Sequence, residues 1–343
     1  MTLNAEHVIV VAGGEFDMWE RVEVSYSLKD ATRTFRLEAA EPPGAWFFPP
    51  GTPLAILANG SLILTGYVNR YKPQGDARSH NPVIEGRGKG QDFVDCAAVH
   101  TPGFWENVTP DRIAQDLDLF GIGLNAEVPL EKIPYFQINQ GETAFAAVER
   151  ALRPQGATMS ERPDGSIAIT NALVAPRHAG GLIEGRNIKA FQGVLSDENR
   201  HSEVEVKGQS RTGVGDAALR IAEKVPDAGV RRYRPKIIIN EGDTDIKRAR
   251  ARAEHERDRR QGLSVSATIT TQGWRDDGGA VWERNWLVWV QSPSLKIAGD
   301  MLIESVTLTQ DNGREGSIAR LNVVNAQAYK GSGGTSSSDG AWQ

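Results

Sequence analysis

The sequence predicts a mainly β protein with α+β insertions, organised around two related β-barrel domains. Two stretches carry the prediction. The later one, residues 282–329, opens with the β-favouring run Trp282-Glu283-Arg284-Asn285-Trp286-Leu287-Val288-Trp289-Val290. It continues through 301–309 with Leu302, Val306 and Leu308 on one strand face, turns at Asp311-Asn312-Gly313, and returns along 317–324. The earlier stretch places strands at 54–57 and 62–71, a turn-rich segment at Gly75-Asp76, and a return strand at 81–86. Both read short strand, long strand, polar turn, return strand, although they share few residues. Turn formers agree: 36 Gly and 17 Pro favour many short strands.

Residues 5–95 read as all-β. A strand at 7–11 precedes the Gly13-Gly14 turn, residues 21–28 alternate cleanly, and 34–38 forms another strand. The loop at 41–51 carries four prolines and Trp46-Phe47-Phe48, whose rings either cap the barrel or meet a neighbouring subunit. Between 97 and 183 the period becomes helical. Thr109-Pro110-Asp111 is an N-cap followed by Pro at the first helical position, with Ile113, Leu117 and Phe120 spaced for one face. A second helix over 142–153 turns Phe145, Val148 and Leu152 inward and stops at Pro154 and Gly156. Pro163-Asp164-Gly165 then joins 157–159 to 166–169 as a hairpin. Strands return at 183–208, an insertion with a charged helix at 243–260 follows, and a strand at 263–271 leads back to Trp274.

The expected division is a first β-barrel domain at 1–96 and a small α+β domain at 97–183. A second β-barrel is built from 184–208 and 263–330, around an inserted loop and helix region at 209–262. A flexible Gly/Ser tail occupies 331–343.

A length of 343 residues suits several domains, and 39% apolar with 24% charged residues is a soluble composition. A net charge of −5 gives no global attraction to nucleic acid or anionic membrane. No run of about 18 apolar residues and no basic-then-apolar leader is present, so neither a membrane anchor nor an export signal is expected. Cys96 is the only cysteine, which excludes an intrachain disulfide, and its Ala-Ala-Val context reads as a small core residue.

The candidate chemistry is thin. Gly86-Arg87-Gly88-Lys89-Gly90 lacks the spacing of a phosphate loop and reads better as a glycine-enabled strand exit. Within 241–260, seven bases are offset by six acids mixed at i, i+3 and i+4. This describes a salt-bridged helix at a surface or subunit interface rather than a DNA-binding one. The six histidines form no metal-binding pair, and Asp276-Asp277 sits in a glycine turn where solvated carboxylates are ordinary. No enzyme class and no cofactor is supported. Four of eight Trp lie between 274 and 289. Trp286, Val288 and Val290 would point one way and Leu287 and Trp289 the other. That strand would be buried on both faces, in a barrel core or between subunits, with a sugar-stacking platform as the competing reading.

Residues 83–96, Val-Ile-Glu-Gly-Arg-Gly-Lys-Gly-Gln-Asp-Phe-Val-Asp-Cys, resemble a strand-exit signature of Mu-type phage baseplate hub proteins, with Gly88 where that pattern often has Ser. Arg232-Tyr233-Arg234-Pro235, the helix through Arg248, Ala249 and Glu254, Gly273-Trp274, Trp282-Glu283-Arg284-Asn285 and the closing 325–329 follow in the family's order. The resemblance spans about residues 5–330. It implies a homotrimer whose two barrels per chain form a pseudo-sixfold ring in the virion baseplate of a contractile tail, assembled in the host cytoplasm. That ring joins the sixfold tail tube and its initiator proteins to a threefold central spike, meets baseplate wedge proteins, and passes DNA only as cargo. Spike and any peptidoglycan-cleaving activity would then lie on other chains. The candidate subunit-interface residues are Trp46, Phe47, Arg232, Tyr233, Arg248, Arg252, Trp286 and Trp289. A carbohydrate-binding or peptidoglycan-hydrolysing tail protein is the alternative; DNA binding through 248–260 is a third reading.

Overall fold

A computed structural model describes residues 6–39, 48–76, 80–171, 175–209, 220–311 and 316–326. The first strands are β1 (Val8–Val11), β2 (Glu15–Phe16), β3 (Arg21–Ser27), β4 (Thr34–Glu38), β5 (Pro53–Ala58), β6 (Ser61–Lys72) and β7 (Val83–Gly88). A mixed segment follows with α1 (Gln91–Asp95), β8 (Phe104–Val108), α2 (Pro110–Leu117), β9 (Leu124–Ala126), β10 (Ile133–Gln137), α3 (Ala144–Leu152), β11 (Thr158–Glu161) and β12 (Ile167–Thr170). Next come β13 (Arg177–Ile183), β14 (Ile188–Leu195), β15 (Glu203–Gln209), β16 (Ile221–Pro226), β17 (Pro235–Asp243) and α4 (Ile246–Leu263). The chain closes with β18 (Val265–Gln272), β19 (Leu287–Ser292), β20 (Ile297–Asp311) and β21 (Gly316–Val324). The protein is mainly β with a few helices.

Thirteen strands form one sheet along the path β14-β18-β21-β20-β3-β4-β7-β6-β5-β1-β2, with β19 on β20 and β13 on β19. The sheet is open, so the expected pair of closed barrels is not present within one chain. The repeat anticipated for three strands extends to six. The first half pairs in the order β3-β4-β7-β6-β5-β1 and the second in the order β14-β18-β21-β20-β19-β13. Ranked by chain position among these six strands, each order is 2-3-6-5-4-1; the two-residue β2 is an extra edge strand on β1. One junction differs: β1 runs antiparallel to β5, whereas β13 runs parallel to β19. The halves join through β20, whose residues 305–311 pair with β3 from Ser27 to Arg21.

Alternation builds the shared core. In β3, Val22, Val24 and Tyr26 are buried and pack with Leu37, Ile56, Leu64, Val306, Leu308 and Leu321. Trp274 is fully buried among them and donates Nε1–H to the Thr309 carbonyl at 3.0 Å. The expectation for β20 needs one correction. A bulge between Ile303 and Ser305 shifts the register, so Ile303 joins Val306 and Leu308 while Leu302 packs on the other side with Val324. One extra residue reverses the alternation of everything before it. The turn at 312–315 lies outside the described residues.

Two smaller cores flank the sheet. Phe93, Trp105, Ile113, Leu117, Phe136, Val148, Leu152, Ile167 and Ile169 close the mixed segment. Its α2 begins with Pro110 after an extended Thr109, whose side chain makes no cap bond. In α3 the buried positions are Ala144, Ala147, Val148, Ala151 and Leu152, with Phe145 only half-buried. The third core packs Ala249 and Ala253 of α4 against Val204, Val206, Ile221, Val225 and Ile238 of the sheet β16-β15-β17. Cys96 departs from its expectation: it is the exposed, extended C-cap of α1, whose buried residues are Gln91 and Phe93.

The glycines of 86–90 serve close packing more than turning, because β7 runs straight through Gly88. A Cβ on Gly86 would lie 2.1 Å from the Tyr67 carbonyl oxygen and 2.4 Å from the Phe35 ring. Gly86→Ala is expected to cost about 1–3 kcal/mol in urea unfolding, the usual range for overpacking. Gly299→Ala, whose Cβ would meet nothing within 4 Å, is the control and should change little. Equal midpoints for the two variants would contradict this packing.

Candidate assembly interface

A buried polar junction holds the large sheet and the mixed segment together. Arg33, just before β4, and Arg284, just before β19, are both buried. Their guanidinium carbons lie 4.1 and 5.8 Å from the Tyr26 ring centroid. Arg33 donates Nη2–H to Glu283 Oε2 at 2.5 Å. Arg284 donates to Ser160 Oγ at 2.9 Å, to the Ser27 carbonyl at 2.8 Å and to the Glu161 carbonyl at 2.9 Å. The Glu161 carboxylate in β11 accepts the backbone N–H groups of Arg33 at 2.6 Å and Gly90 at 2.7 Å. A Cβ on Gly88 would lie 2.0 Å from that carboxylate, so only glycine admits it.

Burial pushes the Glu161 carboxyl above its usual range, against the pull of those two N–H groups and the two arginines. Burial and the neighbouring Arg33 bring Arg284 down to about 10. Burial also pulls on Arg33, but Glu283, Tyr26 and Glu161 outweigh it and leave it raised. Arg33, Arg284 and Glu161, all buried, thus meet the half-buried Glu283, two groups of each sign where an unmatched charge is costly.

A second buried pair shapes the approach to β19. His178 Nδ1 and Asp276 Oδ2 lie 2.8 Å apart, and the Glu283 N–H donates to His178 Nε2 at 3.1 Å. With Nε2 accepting, Nδ1 carries the proton and the ring is neutral. Asp276 also accepts the N–H groups of Ala179, Gly278 and Ala280. It is therefore a buried anchor, whereas the turn composition predicts a solvated carboxylate; Asp277 beside it is the exposed member. The run expected as one strand from Trp282 begins its ladder only at Leu287. Arg284 turns inward and Asn285 adopts φ +60°, which breaks the extended path.

The candidate residues fall into two groups. On the insert, Arg232 pairs with Asp197 at 2.8 Å, Tyr233 is 78% exposed, and Arg252 donates to Asn240 Oδ1 at 2.6 Å. The Arg248 N–H is capped by the Asp245 carboxylate at 2.7 Å. Ion pairs Arg250–Glu254, Arg259–Glu256 and Arg260–Glu256 lace α4. At β19, Trp286 packs on the His178 ring with centroids 4.5 Å apart, and Trp289 remains 37% exposed opposite buried Val288 and Val290. Trp46 and Phe47 lie outside the described residues. Arg33, Glu161 and His178 escaped sequence reasoning because the contacts that define them are remote: Arg33 and Glu161 are 128 positions apart, His178 and Asp276 98. Among the described residues no group of three His, Cys, Asp or Glu could hold a metal ion, and no helix is long and apolar enough to cross a membrane.

Known proteins share this arrangement. Four family models match successive segments: Mu phage baseplate assembly protein GpP-like, N-terminal, on 7–88; baseplate hub protein gp44-like, second domain, on 90–171; tail protein NMB1110-like, third domain, on 200–255; and Mu phage baseplate assembly protein GpP, fourth domain, on 245–331. The baseplate hub protein gp44 of Escherichia phage Mu is 30% identical over 332 residues, covering 92% of this chain and 87% of gp44. The 43 kDa tail protein of prophage MuSo2 from Shewanella oneidensis superimposes with a TM-score of 0.84 at 29% identity, covering 94% of this chain and 99% of that one. The tail protein from Neisseria meningitidis MC58 shares the fold, with a TM-score of 0.78 at 18% identity over 95% of this chain and 99% of its own. The duplicated sheet with its two flanking cores is thus the framework of a phage tail structural protein. The chain belongs to the Mu-type baseplate hub family.

Two outcomes follow from the buried groups. Arg284→Ala is expected to destabilise by about 3–5 kcal/mol in urea unfolding, since it uncovers buried carbonyls and leaves carboxylates unmatched. An effect below 1 kcal/mol would show that the junction is dispensable. For His178, burial holds the folded pKa below the unfolded value despite Asp276. The unfolded chain then binds more protons, so stability is full above about pH 6.5 and falls as pH drops below it. His178→Gln should flatten the melting temperature between pH 7 and 5 relative to the parent chain; parallel profiles would contradict the assignment.

Proposed function

We propose that this chain is the hub of a contractile-tail baseplate, a homotrimeric ring that adapts a sixfold tail tube to a threefold central spike. The observation that carries the reading is the repeated strand order 2-3-6-5-4-1. One chain brings two equivalent sheet units, so three chains bring six, and one ring then presents near-sixfold symmetry on one side and true threefold symmetry on the other. Membership of the baseplate hub family supports the same reading, because its named relatives are structural baseplate and tail proteins.

In this reading the chain divides into two sheet units, a mixed domain between them and the α4 insert, and works by assembly and force transmission without turnover. Tube and tube-initiator proteins would meet the pseudo-sixfold side, the spike the threefold side, and wedge proteins the rim, with DNA crossing as cargo. The interface would draw on Trp286 just before β19, on Trp289 within it, and on Arg232, Tyr233, Arg248 and Arg252 from the insert. The test is the mass of the purified protein by light scattering, alone and with its spike. A mass of three times 37.4 kDa, with six-lobed rings in negative-stain images, is the expected result. A monomer under both conditions would overturn the trimer.

A further inference from the structure

The two sheet units are equivalent in order but not in surroundings. In the first unit, strand β3 has β4 on one edge and β20 on the other. Its counterpart in the second unit, β14, has β18 on one edge and, among the described residues, no strand on the other. The exposure follows. Val22 and Tyr26 on β3 are buried, whereas Phe191, Val194 and Leu195 on β14 are 41%, 54% and 59% exposed. An edge strand with three exposed apolar side chains is a template for pairing.

The matching slot lies on the long strand of the first unit. In β20, β19 covers the first part of one edge and β3 continues along that same edge from Ser305. In β6, β5 covers the equivalent first part as far as Tyr67. The side of Arg70 and Lys72 away from β7 carries no strand among the described residues. We propose that β14 of one copy adds to β6 of the next copy at this slot, repeating between copies the β20–β3 seam that joins the halves within each. The proposal rests on the trimeric reading above and names the surface that would build it. The contact is head-to-tail, the kind that can close a ring, and the trimeric reading sets that ring at three copies.

The register follows from the bulges. β6 shifts between Val68 and Arg70, β20 between Ile303 and Ser305. Superposing them sets Arg70 on Ser305 and Lys72 on Thr307. Along the ladders, Glu85 then falls on Asn322, Arg36 on Thr268 and Glu23 on Gln192. Ser25 and Tyr26 therefore correspond to Val194 and Leu195. Within the chain, Ser25 lies opposite Thr307, their hydroxyls 3.1 Å apart. Between copies, Val194 lies opposite Lys72 and Leu195 opposite Tyr71.

Cysteine cross-linking reads that register. In a Cys96→Ser background, Val194→Cys with Lys72→Cys is expected to give covalent trimers on oxidation, and either cysteine alone to give none. Ser25→Cys with Thr307→Cys, the internal counterpart, should give an intrachain bridge and so calibrates the geometry. Leu195→Asp, at a site exposed in the single chain, should shift the mass from trimer to monomer while the circular dichroism spectrum stays that of the folded chain. A trimeric mass with no Val194–Lys72 cross-link and no effect of Leu195→Asp would overturn the seam and leave the hub reading intact. A monomer at every concentration, with and without spike and without cross-links, would overturn both.

Discussion

The fold depends on two arginines that cannot be left unpaired. Arg33 and Arg284 come from opposite halves of the chain and both pack on the Tyr26 ring. Two guanidinium groups in a dry region repel, which is why burial and Arg33 together lower Arg284. The repulsion is bearable only because Glu283 and Glu161 supply two negative charges and four carbonyls absorb the remaining N–H donors. Those acceptors lie before β4, in β6, at the end of β3 and in β11. Satisfying the arginines therefore fixes where the mixed segment sits against both halves.

Local rules made much of the framework legible. Alternation at 21–28, the Pro163-Asp164-Gly165 hairpin and the Pro110 helix start depend on near neighbours and formed where the residues place them. The misreadings share one cause. Leu302 changed face because of a bulge that no neighbouring residue announces. Asp276 is buried because a histidine 98 positions away needs an acceptor. Cys96 is exposed because α1 is too short to turn its end inward. Each was decided by a partner distant in sequence or by a count of residues in an element. Of the candidate interface, the insert arginines were visible as charge; the Asp245–Arg248 pairing followed from spacing, whereas Arg232 meeting Asp197 and Arg252 meeting Asn240 did not. That α4 packs on its sheet through Ala249 and Ala253, with Glu256 pairing to Lys236 of β17 beside them, needed the structure.

The duplication explains how the halves diverged while the connectivity stayed fixed. What the halves share is the strand order, the bulge in the long strand and buried alternate positions on the strands that line the common core. None of these demands a particular residue, so the two halves share little sequence. The insert enters the second half between its second and third strands, where the first half has only a short connection. Lengthening a surface connection costs little loop entropy, and the insert brings its own core. The mixed segment sits between the halves, where the buried junction can clamp both.

In the proposed ring, inequality between the two seams would give assembly its order. Within the chain, seven residue pairs join β20 to β3, and Tyr26 adds a 2.5 Å hydrogen bond to the Trp282 carbonyl. Between copies, the matching ladder reaches Pro73 after residues 70–72, and a proline has no N–H to offer. The seam between copies thus leans on the apolar contacts of Phe191, Val194 and Leu195 more than on its ladder. In the proposed trimer, a strong seam formed first inside each chain would give a folded monomer, and the weaker one would close only when three copies meet. Such a hierarchy suits a part that must stay soluble until a template, such as a threefold spike, gathers it. A β14 edge sealed within the chain would make a safer monomer and a poorer ring.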